Sequence, residues 1–225
     1  MTRLVVFDVD GTLIDSQHVI LAAMRAAFAS VGHEMPPPEA VLAIVGLSLE
    51  QAMQRLAPHL PDAETRALAE AYRVAFVELR AAGGAEAHAP LYPGARDALD
   101  DLAAAPDLLL GIATGKARRG LDHVFAVHDL GHYFVTAQTA DLHPSKPHPG
   151  MLLAALAETG CEAGDAVMIG DTEFDILMGR AAGVATIGVS WGYHPRARLE
   201  AAGADLIIDR FDALGAALAA LGAGR

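Results

Sequence analysis

Residues 4–12 read Leu4-Val5-Val6-Phe7-Asp8-Val9-Asp10-Gly11-Thr12. The run Leu4–Phe7 is short, apolar and carries two β-branched valines, which predicts a buried strand. Asp8 and Asp10 follow it, two residues apart. On a chain that is still extended, side chains at that spacing point the same way. Asp10-Gly11 between apolar residues is also a hairpin signal. The sequence after Ile14 turns helical, however, and supplies no long return strand.

From Gln17 the apolar period changes from two to about 3.6. Ile20, Met24, Phe28 and Val31 mark one helix, which Pro36-Pro37-Pro38 is expected to stop. A second is expected to start near Ser48, where Ser48 and Gln51 have capping-box spacing and Leu49, Met53 and Leu56 form the apolar face. A third follows Leu68, Tyr72, Phe76 and Leu79. No strand pattern occurs between about residues 16 and 88.

Beyond the turn-rich stretch Pro90–Gly94, apolar runs and helices alternate. The runs are Leu108–Ala113, Ala166–Ile169, Val184–Val189 and Leu206–Ile208. Helical stretches lie between them, such as Leu152–Ala157 and Phe174–Ala182, and the Ala- and Gly-rich tail from Phe211 predicts a last helix with a frayed end. Such alternation implies a parallel sheet covered on both faces. The predicted fold is α/β, with a Rossmann-like core of residues 1–15 and 89–225 and an all-helical unit, residues 16–88, inserted after the first strand. Ligands of open parallel sheets bind beyond the carboxyl ends of the strands.

The composition narrows the functional classes. The chain has 225 residues, 53% hydrophobic and 20% charged, with a net charge of −12. It is globular rather than disordered. Its acidity repels nucleic acid and anionic lipid, so neither is an expected partner. Cys161 is the single cysteine and has no visible activating neighbour. No internal disulfide can form, and the apolar run before Asp8 is too short for a signal peptide, so the expected location is the cytoplasm. No apolar stretch approaches the length of a membrane span.

The later strand ends carry polar residues as well. Thr114-Gly115-Lys116 would bring a hydroxyl, a bare backbone amide and a helix start together, a phosphate nest or an ordinary strand-to-helix turn. Gly111–Lys116 is one residue short of a P-loop, Ala117 stands where a Ser or Thr belongs, and no GxGxxG occurs. Lys146 lies between prolines in Pro144-Ser145-Lys146-Pro147, either poised at a helix start or solvated on a loop. His143 and His148 flank it, as solvated loop residues or a metal pair. Asp171 abuts the apolar Val167-Met168-Ile169 and so requires a partner. Asp175 is four residues on, able to share its face or, with Thr172, to form a capping box.

Taken together, Asp8-Val9-Asp10-Gly11-Thr12, Thr114, Lys146 and Gly170-Asp171 through Asp175 resemble the four motifs of the haloacid dehalogenase-like hydrolase superfamily. The resemblance spans nearly the whole chain and is nearest to the phosphoglycolate phosphatase-like group. It implies that residues 16–88 are a cap and that the loop Val45-Gly46-Leu47-Ser48 helps choose the substrate. It further implies that Asp8 is the nucleophile and Asp10 the general acid and base, a residue the dehalogenases and phosphonate-cleaving relatives lack. Thr114, Gly115 and Lys146 would hold phosphate oxygens, with Gly11, Thr12 and Gly46 as further substrate contacts. The side chains of Asp8 and Asp171 and the carbonyl of Asp10 would hold Mg²⁺, with Asp175 ligating directly, through water, or only capping its helix. The expected activity is hydrolysis of a small phosphorylated metabolite such as phosphoglycolate through an aspartyl-phosphate. A sugar phosphomutase or a catalytically idle binding protein on the same fold are the alternatives.

Overall fold

The computed structural model describes residues 3–83 and 89–223. The expected end of the helical insertion at residue 88 lies outside the described residues.

Six strands form one parallel sheet: β1 (Arg3–Phe7), β2 (Leu108–Thr114), β3 (Phe134–Thr139), β4 (Ala166–Gly170), β5 (Ala185–Val189) and β6 (Leu206–Ile208). Their order is β3-β2-β1-β4-β5-β6. β1 is central, with Arg3–Phe7 facing Leu108–Ile112 on one side and Leu4–Phe7 facing Ala166–Ile169 on the other. Alternation decides the layers: Val5 and Phe7 enter one apolar cluster, Leu4 and Val6 the other. The first is covered by α5 (Ala95–Ala103), α6 (Arg118–His128) and α10 (Leu214–Ala223), through Leu99, Leu121 and Leu218. The second is covered by α7 (Gly150–Thr159) and α8 (Glu173–Ala181), through Leu152 and Met178, and α9 (Arg196–Ala202) packs beside β5. No described helix is long and apolar enough to cross a membrane.

β3 was not foreseen. It is an edge strand that carries Thr136 and Gln138 and leaves Val135 59% exposed. An edge strand can present polar groups without an apolar run, which removes the signal that marked the others.

Between β1 and β2 lie α1 (Gln17–Ser30), α2 (Pro38–Leu42), α3 (Leu49–Leu56) and α4 (Asp62–Gly83). They close on a core of their own, including Met24, Phe28, Met53 and Leu68. Truncating Phe28 to Ala would cost about 3–5 kcal/mol. Two local expectations are corrected. α1 ends at Ser30, before the prolines, where Gly32 takes a left-handed φ of 76°. Pro37 and Pro38 instead open α2, where a missing N–H is harmless. Ser48 does precede α3 but its hydroxyl caps nothing. Its backbone N–H donates to Ser145 Oγ of the core at 2.7 Å, which ties the helical block down. The block's two connections run side by side, with Asp15 N–H donating to Pro90 O and Tyr92 N–H to Leu13 O.

Candidate active site

Strand ends meet the helical block at a cavity of about 650 Å³. Asp8, Asp10, Thr114, Gly115 and Gly46 all border it. Asp8 extends the β1 ladder by donating its N–H to Ile169 O of β4 at 2.9 Å, which fixes its backbone against that strand. Asp171 leaves the tip of β4, adjacent to β1 in the sheet. Asp8, Asp171 and Asp175 each present a carboxylate oxygen within 4.8 Å of the others, and all three are buried.

Lys146 is fully buried among them, not solvated. Its Nζ donates to Asp175 Oδ1 at 2.6 Å and lies 3.0 Å from Asp8 Oδ1. That second approach is a charge contact off the direction of a hydrogen bond, and neither oxygen of Asp8 accepts one. Burial works against the ammonium, but Asp175 and Asp8 more than offset it and raise its pKa. Burial pushes the Asp8 carboxyl up to about 7; Lys146 opposes this and Asp175 adds to it. Asp171 is raised well above the ordinary carboxylate range by burial, with Asp175 and Asp8 contributing, against bonds from Tyr193 N–H and the Thr12 hydroxyl.

These residues fit a divalent cation. Three carboxylates against one ammonium leave two negative charges in a buried space, which is unstable without compensation. The donors are all carboxylate oxygens, the set a hard cation such as Mg²⁺ takes. Asp8, whose two oxygens accept no hydrogen bond, has coordination to spare.

The supporting shell is tight. Asp171 Oδ1 accepts from the Thr12 hydroxyl at 2.9 Å and Oδ2 from Tyr193 N–H at 2.8 Å. Asp175 Oδ2 accepts from Thr172 N–H at 3.0 Å and from its hydroxyl at 2.6 Å, so the capping box and the acidic cluster use the same side chain. Gly11, at φ 86°, leaves space that Asp171 fills: a Cβ there would sit 2.2 Å from Oδ2. Gly11 and Thr12, expected as substrate contacts, pack against Asp171, and like Asp171, Asp175 and Lys146 they do not line the cavity itself. The Thr12 hydroxyl is taken up by the carboxylate. His143 pairs with Gln138 Oε1 and His148 accepts from Gly150 N–H, so they form no metal pair.

Asp10 occupies a different setting on the wall of the cavity. Its Oδ1 accepts from Ser16 Oγ at 2.6 Å, and Oδ2 lies 2.9 Å from Lys116 Nζ. The Tyr193 hydroxyl, 3.0 Å away, completes the chain as donor to Ser16 Oγ. Thr114 Oγ1 accepts from Lys116 N–H at 3.2 Å. Gly115 passes so close to the helical block that a Cβ would lie 2.5 Å from Gly46 O.

Sequence reasoning missed the side chains of Lys116, Ser16 and Tyr193. Lys116 was quoted within a motif, though only its backbone turn drew notice. Tyr193 follows β5, whose carboxyl end lies beside that of β4, so the rule on strand ends could have found it.

Comparison with known proteins shows the family and agrees with the fold. The family model described as haloacid dehalogenase-like hydrolase matches residues 5–189. A probable phosphatase, IndB, from Dickeya dadantii is 36% identical, covering 98% of this chain and 96% of its own. A phosphoglycolate phosphatase from Pseudomonas fluorescens is 30% identical over 93% of this chain and 77% of its own. The solved structure of a haloacid dehalogenase-like family hydrolase from Streptococcus pneumoniae superposes with a TM-score of 0.82 at 25% identity, covering 96% of this chain and 97% of that one.

Proposed function

The chain belongs to the haloacid dehalogenase-like hydrolase family, and on that footing we propose that it is a magnesium-dependent phosphatase acting on a small-molecule phosphomonoester through an aspartyl-phosphate at Asp8. One observation carries the reading: Asp8 borders the cavity with both oxygens free of hydrogen bonds, next to Lys146 and two further buried carboxylates. The relatives named phosphatase and phosphoglycolate phosphatase support the same substrate class.

In this reading an Asp8 oxygen attacks phosphorus and the bond to the leaving oxygen breaks. Asp10 gives that oxygen a proton, then takes one from the water that attacks the aspartyl-phosphate, which returns Asp8 and releases phosphate. Thr114, the Gly115 amide and Lys146 hold the phosphoryl oxygens. Asp8, Asp171 and Asp175 would hold Mg²⁺, with the Asp10 carbonyl as a further ligand. The bound ion supplies the positive charge that keeps Asp8 ionised and offsets the charge of the phosphate. The Asp10–Ser16–Tyr193 chain keeps the acid aimed at the cavity.

The test is phosphate release from a panel of phosphomonoesters, with Mg²⁺ and with EDTA, together with a search for phosphorylated Asp8 in acid-quenched enzyme. Chelation should abolish release. Turnover indifferent to EDTA would overturn the metal assignment, and isomerisation of a sugar phosphate without release would favour a phosphomutase.

A further inference from the structure

The shape of the cavity goes further than the reaction class. We propose that the leaving alcohol is a ring-bearing group, much larger than a two-carbon acid, that stacks on the Tyr72–Phe76 wall and offers a hydrogen-bond acceptor to Arg80. The inference rests on the phosphatase reading and names the substrate class of that site.

Three observations carry it. The first is capacity. About 650 Å³ holds on the order of 20 waters at their liquid volume. A phosphorylated two-carbon acid would leave most of that space wet, and the gain from excluding water at the reacting centre would be lost. The volume is not a gap left by a detached helical block. Gly46 already presses on Gly115, and Ser48 is bonded to Ser145.

The second is the chemistry of the wall. Ile20, Met24, Leu49, Tyr72 and Phe76 line the side that the helical block contributes. The rings of Tyr72 and Phe76 are 5.6 Å apart between centroids and tilted by 35°. An apolar, aromatic wall rewards a planar or apolar body and does little for a carboxylate.

The third is Arg80. Its guanidinium stands 5.4 Å from the centroid of Phe76, and Lys116 lies 5.3 Å from the same ring. Lys116 is engaged with Asp10, whereas Arg80 makes no ion pair or hydrogen bond among the described residues. A half-buried arginine bordering the cavity, its donors unspent on any described residue, is placed to bind an acceptor on a ligand that reaches past the phosphate site.

The probes are phosphoglycolate, phenyl phosphate and a nucleoside monophosphate, compared by kcat/KM. The ring-bearing esters should exceed phosphoglycolate by on the order of tenfold or more. Phe76→Leu retains apolar volume but removes the ring, and should reduce that preference roughly tenfold, chiefly through KM. Arg80→Met should weaken the nucleoside monophosphate more than phenyl phosphate, which lacks the acceptor. Melting curves check that both variants fold. A wild-type preference for phosphoglycolate, or a ratio unmoved in both variants, overturns the inference while leaving the phosphatase intact. Failure to release phosphate from any ester would overturn the phosphatase reading itself.

Discussion

Two aspartate–lysine pairs stand at the cavity in opposite settings. At its floor Asp8 borders the cavity and Lys146 lies beneath, 1% and 0% exposed, beside Asp171 and Asp175, which are held by bonds from Thr12, Tyr193 and Thr172. On the wall, Asp10 and Lys116 are 12% and 11% exposed and open onto the space where a leaving group would sit. Burial multiplies charge interactions on the floor and fixes its groups, which suits a cation and a phosphoryl group. The wall pair is reachable, and the aspartate there can exchange a proton with substrate or water. In the proposed mechanism the same two residue types would thus serve as a static charge trap and a proton carrier, and exposure separates them.

The sharpest way to break the comparison is to neutralise one aspartate at a time. Asp8→Asn should lower the rate of phosphate release on the order of 10⁴-fold or more, with the fold retained. Removal of Mg²⁺ should abolish release as well, and adding it back should raise the melting temperature of wild type but not of Asp171→Asn. Asp10→Asn should lower kcat by about 10²–10⁴-fold with little change in KM, as expected for a group that acts in the transition state. A variant with normal kcat and weakened binding would remove the proton carrier from the account.

Stability should separate the lysines. In metal-free protein at neutral pH, Lys146→Met should cost about 3–5 kcal/mol, since it strips the buried ammonium from three carboxylates. Lys116→Met should cost about 1 kcal/mol. The floor also carries a pH signature. Burial raises the Asp8 pKa from 3.8 to about 7, so its protonated form favours the fold at low pH, and that contribution is lost as pH rises through about 7. Metal-free Asp8→Asn should therefore gain melting temperature over wild type progressively from about pH 4 to pH 8. A constant difference would refute the buried-charge account.

The parts of this arrangement that were legible in the sequence share one property. Where an apolar run stops at a carboxylate, as at Asp8 and Asp171, local sequence reveals both the strand and the site at its tip. β3 escaped because an edge strand can mix Val135 with Thr136 and Gln138. The burial of Lys146 was illegible because nothing near it in sequence shields it; Asp8 and Asp175 do, from other segments. Ser16 and Tyr193 meet across 177 positions, a contact no spacing rule can anticipate. Ser48 was recognised as a helix start, but its N–H partner, Ser145, belongs to a different unit of the fold.

The placement of β1 has a consequence for how the chain acquires its shape. Leu4 faces Leu109 on one side and Ala166 on the other, so the strand leading to Asp8 is made first and waits for β2 and then for the still later β4 before both its edges are paired. Closing such long loops is entropically uphill, and non-local pairing slows folding. The helices between Gln17 and Gly83 draw on nearby contacts and can assemble early. Asp8 is then among the last residues to be locked, and refolding should regain helicity before it regains activity.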